Sequence, residues 1–496
     1  MVKKINFRLF ILLLTVLVSG CAGQSQTPLV EVVQTSTAAA PDLELTEMIM
    51  DSPTEAPTPE LPDEDFIWYE LDLNLDRARL VVDVEQKIEF TSGDGQITEE
   101  LVLAVLPNTF QGGFNLHSIQ INGIPADYKL EGQELRISNL SIKQGETVQI
   151  TLSYELTIPQ ALQGDPTLVR PQIYGFTERQ INLVDWYPFI VPRDSEGTWI
   201  LNKAWYYGEH LVYPLSSGWV RLRLQNFQPA PMITASTIGF PEGDVYVYEF
   251  QDFRDFVLSI GLDAKMVEGE SGGLLARSFY LPGNETAGMA VLDTTLKAAE
   301  LYTEVFGKLD NPIISAVQGD FEDGMEYEGM YYLSRSFYNL YDGGADQYLV
   351  MVAAHETCHQ WFFGSVGNDQ AFQPWLDESL ATYCERLFYE RYYPELLPWW
   401  WSTRIDFYQP EGKIDGNIYE YQGFDPYTNA VYRRGAKYYE DLRKLIGDEA
   451  FFAFLKDYYQ SSKGTLVDAK SYFEILRRNT TSDLTPILEE YFGTQY

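Results

Sequence analysis

Two textures of hydrophobic and polar residues divide most of the chain. From residue 66 onward apolar and polar positions alternate, as in Tyr69-Glu-Leu-Asp-Leu-Asn-Leu75 and Leu80-Val-Val-Asp-Val-Glu-Gln-Lys-Ile-Glu-Phe90. A period of two turns one face of a strand inward and the other toward water. The texture returns at Thr147-Val-Gln-Ile-Thr-Leu-Ser-Tyr154, Val220-Arg-Leu-Arg-Leu224, Val245-Tyr-Val-Tyr-Glu-Phe250 and residues 255–260. Turns such as Ser92-Gly-Asp-Gly95, Asn122-Gly123 and Gln144-Gly145 separate the runs. Residues 66–267 therefore read as one large all-β domain. From 268 the pattern becomes α/β. Residues 285–306 have the spacing of an amphipathic helix, 312–317 and 325–333 read as strands, and 437–446, 450–459 and 469–477 as helices. The expected fold class is multidomain, β followed by a mostly helical α/β domain over 268–496, with no internal repeat.

The first 65 residues show neither texture. Lys3, Lys4 and Arg8 precede an apolar run over 9–18 that is short for a membrane span. Val18-Ser19-Gly20-Cys21 resembles a bacterial lipobox, so residues 1–21 read as a lipoprotein signal and Cys21 as the lipidated residue. Residues 22–65 are rich in Pro, Thr, Ser, Ala and acids and hold no Lys or Arg, which predicts a disordered tether. Fully extended it would reach on the order of 140 Å. The expectation is a body in the cell envelope, outside the cytoplasm and lipid-anchored to a membrane.

Length and charge narrow the function. A chain of 496 residues holds two or more domains with large cores. Its net charge of −37 argues against nucleic acid as a partner, since that calls for a basic patch.

Candidate chemistry centres on His355-Glu356-Thr357-Cys358-His359, which holds two of the chain's 4 histidines. Positions i and i+4 share one helix face, so both imidazoles reach one ion, with Glu356 beside it. Residues 346–354 before the motif are apolar and helix-competent, and Glu378 opens a further helical run. The pattern predicts one Zn2+ held by His355, His359 and Glu378 with a fourth position open to water. Glu356 is placed to accept that water's proton as general base. Thr382, one turn beyond Glu378, is expected to hydrogen-bond a ligand histidine. His117 and His210 fall outside any ligand spacing. Cys358 and Cys384, on the two zinc helices, read as packed thiols, with a bridge between them as the alternative.

His355-Glu-Thr-Cys-His-Gln-Trp-Phe-Phe-Gly364 followed by Trp375-Leu-Asp-Glu-Ser-Leu-Ala-Thr-Tyr383 resembles the zinc signature of the aminopeptidase N family of gluzincin peptidases. Gly324-Met-Glu-Tyr-Glu-Gly-Met330 resembles that family's exopeptidase motif, with Tyr327 in place of asparagine. Tyr432-Arg-Arg-Gly-Ala436 resembles its Tyr-x-Lys-Gly-Ala segment, with Arg434 for lysine. The resemblance implies a saddle-like β domain ahead of a thermolysin-like catalytic domain. It implies that Tyr432 faces the oxyanion, and that Gly324, Met325 and Glu326 bind the substrate's amino end, Glu326 pairing with the α-ammonium. It also suggests Gln180, in Thr177-Glu-Arg-Gln180, as a second amine contact. Longer members carry a helical C-terminal domain, for which this chain is expected to lack room. The expected activity is zinc-dependent removal of N-terminal residues from peptides with a free N-terminus. Two alternatives stay open: a zinc endopeptidase of the same clan, and a non-catalytic surface binding protein on a peptidase fold.

Overall fold

Strand Phe66–Asp76 turns Ile67, Tyr69, Leu71, Leu73 and Leu75 inward and its polar residues outward, as the alternation predicts. Each such side chain, fully buried, contributes about 1.5–3 kcal/mol. The strand runs parallel to Ser216–Gln225 and antiparallel to Val81–Thr91. Thr147–Thr157 pairs with Val81–Thr91, and Val245–Phe253 with Ser216–Gln225, within an 8-stranded sheet. Two 4-stranded sheets share its hydrophobic core. The computed structural model describes residues 64–93, 95–161, 173–322 and 324–496, which belong to one compact unit. Residues 1–21, with Cys21, and nearly all of the tether over 22–65 lie outside the described residues. Asp65, placed at the tether's end, already docks on the body: it accepts a hydrogen bond from the Gly93 amide at 2.8 Å.

A 5-stranded mixed sheet follows. Leu274–Tyr280 and Ile313–Gln318 lie parallel, joined across helix Glu285–Val305. Parallel neighbours need such a crossover. Met330–Leu333 adds next, and Met325–Tyr327 forms the edge. Helices dominate from Tyr348 to the end, including Gly435–Ile446, Asp448–Ser462 and Ala469–Asn479. The architecture is thus a β-rich N-terminal part followed by a mainly helical one.

Two expectations need correction. The boundary at 268 falls inside strand Lys265–Ser271, which belongs to the mixed sheet through its pairing with Leu274–Tyr280. The handover lies before Lys265, because pairing rather than texture defines the sheet. The single strand over 325–333 is a hairpin that turns at Gly329, where φ is +73°. A Cβ there would stand 2.1 Å from the Ser236 carbonyl oxygen, so the turn requires glycine.

Arg254 clamps the two parts. Its buried guanidinium donates to Tyr213 O at 3.0 Å, Gly364 O at 2.9 Å and Thr465 O at 2.7 Å. Its amide donates to Glu328 Oε2 at 2.7 Å, on the hairpin turn. Gly364 closes the segment that leaves the histidine helix, so the clamp reaches the site. Arg254→Met removes the guanidinium donors, keeps the amide bond to Glu328, and leaves buried carbonyls unpaired. The expected loss is about 3 kcal/mol or more, read as a lower urea midpoint. An unchanged midpoint would mean that Arg254 does not hold the seam.

Candidate active site

Helix Tyr348–Cys358 is buried along nearly its whole length, which suits its apolar sequence. His355 lies in its last turn and His359 caps its C-terminus. Helix Glu378–Tyr392 crosses it and begins with Glu378 itself, where the Asp377 carboxylate accepts from the Glu378 amide at 2.7 Å. These elements bring His355, His359 and Glu378 together below 6 % exposure. The His355 and His359 Nε2 atoms are 3.2 Å apart, and Glu378 Oε2 lies 3.1 and 3.6 Å from them.

The outer ring nitrogens fix the tautomers. His359 Nδ1 donates to Phe362 O at 3.0 Å, and His355 Nδ1 to Glu385 Oε1 at 2.9 Å. Both Nε2 lone pairs therefore face inward, against a carboxylate oxygen. Three buried acceptors in mutual contact repel one another unless a cation joins them. Ligand atoms about 2.0–2.2 Å from a tetrahedral zinc stand roughly 3.3 Å from each other, which is the separation found. The donor set fits zinc.

Glu385 is a site residue that sequence reasoning missed. The Arg404 guanidinium reaches its two oxygens at 2.8 and 3.1 Å, and Trp400 Nε1 donates to it at 2.9 Å. Burial opposes its charge, yet Arg404 and His355 hold its carboxyl below the usual range. Thr382, expected in that role, does not meet a histidine. Its hydroxyl donates back to Glu378 O at 2.8 Å, the ordinary helical i−4 bond. Glu385 lies two turns beyond Glu378, on the same face, and its longer side chain spans the gap.

Glu356 lies beside the three ligand atoms. Its Oε2 is buried without a partner, and burial pushes its carboxyl up to about 8 despite His355 and His359. Gly324 lies against it: a Cβ there would stand 3.6 Å from Glu356 Oε1. Glu326 projects to the same place from the edge strand, with ligand-capable atoms of Glu326, Glu356 and His359 within 4.8 Å of one another. Gln370, also missed, donates to Glu326 Oε1 at 3.0 Å and Asp377 Oδ2 at 2.8 Å. Met325 turns the other way, into the core shared with the β part.

Tyr432 sits in a π-helical segment, Asn429–Arg434. Such irregular turns often mark functional positions. Its ring stacks on His355 at 5.9 Å, and its hydroxyl donates to Glu378 Oε1 at 2.6 Å. Gly435 explains the small residue that follows. A Cβ there would lie 2.0 Å from Ser379 Oγ, so only glycine lets this segment approach the Glu378 helix. Gln180 departs from expectation. Its amide donates to Ser259 Oγ at 3.1 Å and Gln318 O at 3.3 Å, and accepts from the Asp320 amide at 2.9 Å. It ties the β part to the loop before Gly324, and its carbonyl oxygen, the atom an ammonium would need, already accepts from the Asp320 amide. Cys358 and Cys384 are buried free thiols.

Comparison with known proteins agrees with this geometry. Residues 291–491 match the peptidase family M1 domain. The chain is 28% identical over 248 residues to Aminopeptidase M1-D of Oryza sativa subsp. japonica, covering 46% of this chain and 26% of that one. It is 26% identical over 229 residues to Aminopeptidase M1 of Arabidopsis thaliana, covering 42% and 26%. The matched region thus spans about a quarter of the length of these curated relatives. A solved M1 zinc metallopeptidase from Deinococcus radiodurans has a TM-score of 0.61 at 17% identity, over 88% of this chain and 96% of that one. A mutant of the Deinococcus enzyme bound to a Tyr-Ser-Ala substrate has a TM-score of 0.60 at 17% identity, over 88% and 97%. In its matched M1 domain, its ligand set and this shared fold, the chain is similar to the aminopeptidase N-like M1 peptidases.

Proposed function

We propose that this protein is a zinc-dependent aminopeptidase that removes N-terminal residues from peptides, using one zinc ion. The observation that carries the reading is the convergence of His355 Nε2, His359 Nε2 and Glu378 Oε2 with two further carboxylates, Glu356 and Glu326, at their side. When bound, zinc supplies Lewis acidity toward water and a peptide carbonyl, bringing a water's pKa to about 7.

The chain's own groups divide the remaining work. Glu356, unpartnered and raised toward neutrality, takes a proton from the attacking water and hands it to the leaving amine. Tyr432 holds a hydroxyl beside the metal ligands, where turning away from Glu378 aims it at the developing oxyanion. Glu326 receives the substrate's α-ammonium, which fixes the cut one residue from the N-terminus. The strand Met325–Tyr327 is paired on one side only, with Met330–Leu333, and its other edge is where the substrate would extend. We further propose that the body works outside the cytoplasm, held at a membrane by a lipid on Cys21. The support for that location is the charged, apolar and Cys-terminated pattern of residues 1–21.

Glu356→Gln is expected to lower kcat/KM on an aminoacyl nitroanilide by about 10²–10⁴ while zinc content stays the same. Tyr432→Phe should lower it by about 10²–10³. Full activity in either variant would remove that residue from the mechanism. Glu385→Gln should weaken zinc about 10- to 100-fold, measured by chelator competition; unchanged affinity would make the Arg404–Glu385–His355 chain irrelevant to the metal. Peptides with a free N-terminus should be trimmed and their N-acetylated forms left intact. Equal cleavage of both would favour the endopeptidase alternative.

A further inference from the structure

A peptide anchored by its amino end must leave the metal ligands in a defined direction. Glu326 receives the first residue, and Gly324, two residues back along the strand, lies against Glu356. The substrate therefore runs from Glu326 toward Gly324, opposite to the strand. Past Gly324 it meets helix Arg335–Leu340. That helix is fastened to Glu322 through Ser334 Oγ at 2.6 Å and Arg335 Nε at 3.2 Å. Its Phe337 stacks on Tyr348, with ring centroids 6.0 Å apart. Tyr348 opens the histidine helix seven residues before His355, so it lies two turns out on the same face.

The facing wall carries Tyr408, whose hydroxyl stands 3.5 Å from that of Tyr348. The Arg433 guanidinium lies 3.6 Å above the Tyr408 ring. Three arginines surround this exit. Arg335 is paired with Asp320 and Glu322, and Arg404 with Glu385. Arg433, which directly follows Tyr432, makes no ion pair among the described residues. Its Nη1 donates to Thr428 Oγ1 at 3.0 Å and Asn429 Oδ1 at 2.7 Å, and its Nη2 makes no hydrogen bond among them. Arg433 is half-buried, and Tyr408 reaches the surface. Burial and the neighbouring Arg404 charge hold the Arg433 guanidinium below its usual range. An entering anion opposes both effects.

We infer that Arg433, held flat against the Tyr408 ring, receives the C-terminal carboxylate of a short peptide. The inference rests on the aminopeptidase reading and names its substrate class. Reach sets the length. From His355 back to Tyr348 the helix rises about 10 Å. An extended chain covers that distance in about three residues. With the first residue held at Glu326, the favoured peptide has about four residues. Such a peptide is gripped at both ends, its ammonium by Glu326 and its carboxylate by Arg433. A longer peptide carries its carboxylate beyond Arg433, and an amidated one brings no charge to it. No covalent step is involved.

The test compares an alanine-rich tetrapeptide as free acid and as C-terminal amide, beside the matching dodecapeptide pair. In the wild type kcat/KM for the tetrapeptide acid should exceed that for its amide by about 10- to 100-fold. The dodecapeptide pair should give a ratio of about one. Arg433→Gln should bring the tetrapeptide ratio to about one as well. Arg433→Lys keeps the charge but not the planar fork, and should retain part of the ratio. A wild-type tetrapeptide ratio of about one overturns this inference alone. So does a ratio that survives Arg433→Gln while both peptides slow equally, which would make Arg433 a brace for the Tyr432 segment. A ratio equally large for the dodecapeptides also overturns it, since attraction without end-to-end fit would explain that. A wild type that trims neither tetrapeptide overturns the aminopeptidase reading, and this inference with it.

Discussion

Two imidazole nitrogens and a carboxylate oxygen meet in a buried place with their lone pairs turned toward one another. With neither a metal nor a proton between them, this arrangement is repulsive. Most of what surrounds it serves to hold it in place. The Phe362 carbonyl and Glu385 carboxylate take the outer N–H groups, which fixes both rings and both tautomers. Arg404 and Trp400 keep Glu385 charged and oriented. Asp377 caps the helix that carries Glu378, and Gln370 ties that cap to Glu326. The cap of the Glu378 helix is thus linked to Glu326, the proposed substrate anchor, through two hydrogen bonds from one amide.

The β-rich part is more than a neighbour to this site. Its strand Gln180–Leu183 fastens the loop ahead of Gly324 through Gln180, and Asn182 accepts from Tyr332 of the mixed sheet. Arg254 joins it to the segment leaving the histidine helix. The edge strand bearing Glu326 is therefore fixed from both directions. The ammonium-binding role proposed for Glu326 needs this rigidity, because selectivity would depend on where the carboxylate stands relative to the metal ligands.

What was legible in the sequence follows from what is local. Alternation announced the long strands because each has one buried face, and the four-residue spacing of His355 and His359 announced the metal because one helix carries both. Tyr432 was recognisable only through the family motif Tyr432-Arg-Arg-Gly-Ala436, whose glycine proves to sit where two helices touch. Glu385 left a signal that was not used: it lies seven residues after Glu378, two turns along the same face. Arg404, Trp400 and Gln370 left none, because they reach the site from separate segments through tertiary contacts. Gln180 shows the converse. Its motif marks a real junction, but hydrogen bonds to the protein occupy the amide assigned to substrate.

The central claim is that this ligand set holds one zinc ion. Anomalous scattering at the zinc edge from crystals of the native protein tests it most directly. The account predicts a single strong peak about 2.0–2.2 Å from His355 Nε2, His359 Nε2 and a Glu378 carboxylate oxygen. A native crystal with no peak there, or with its zinc bound elsewhere, would contradict it.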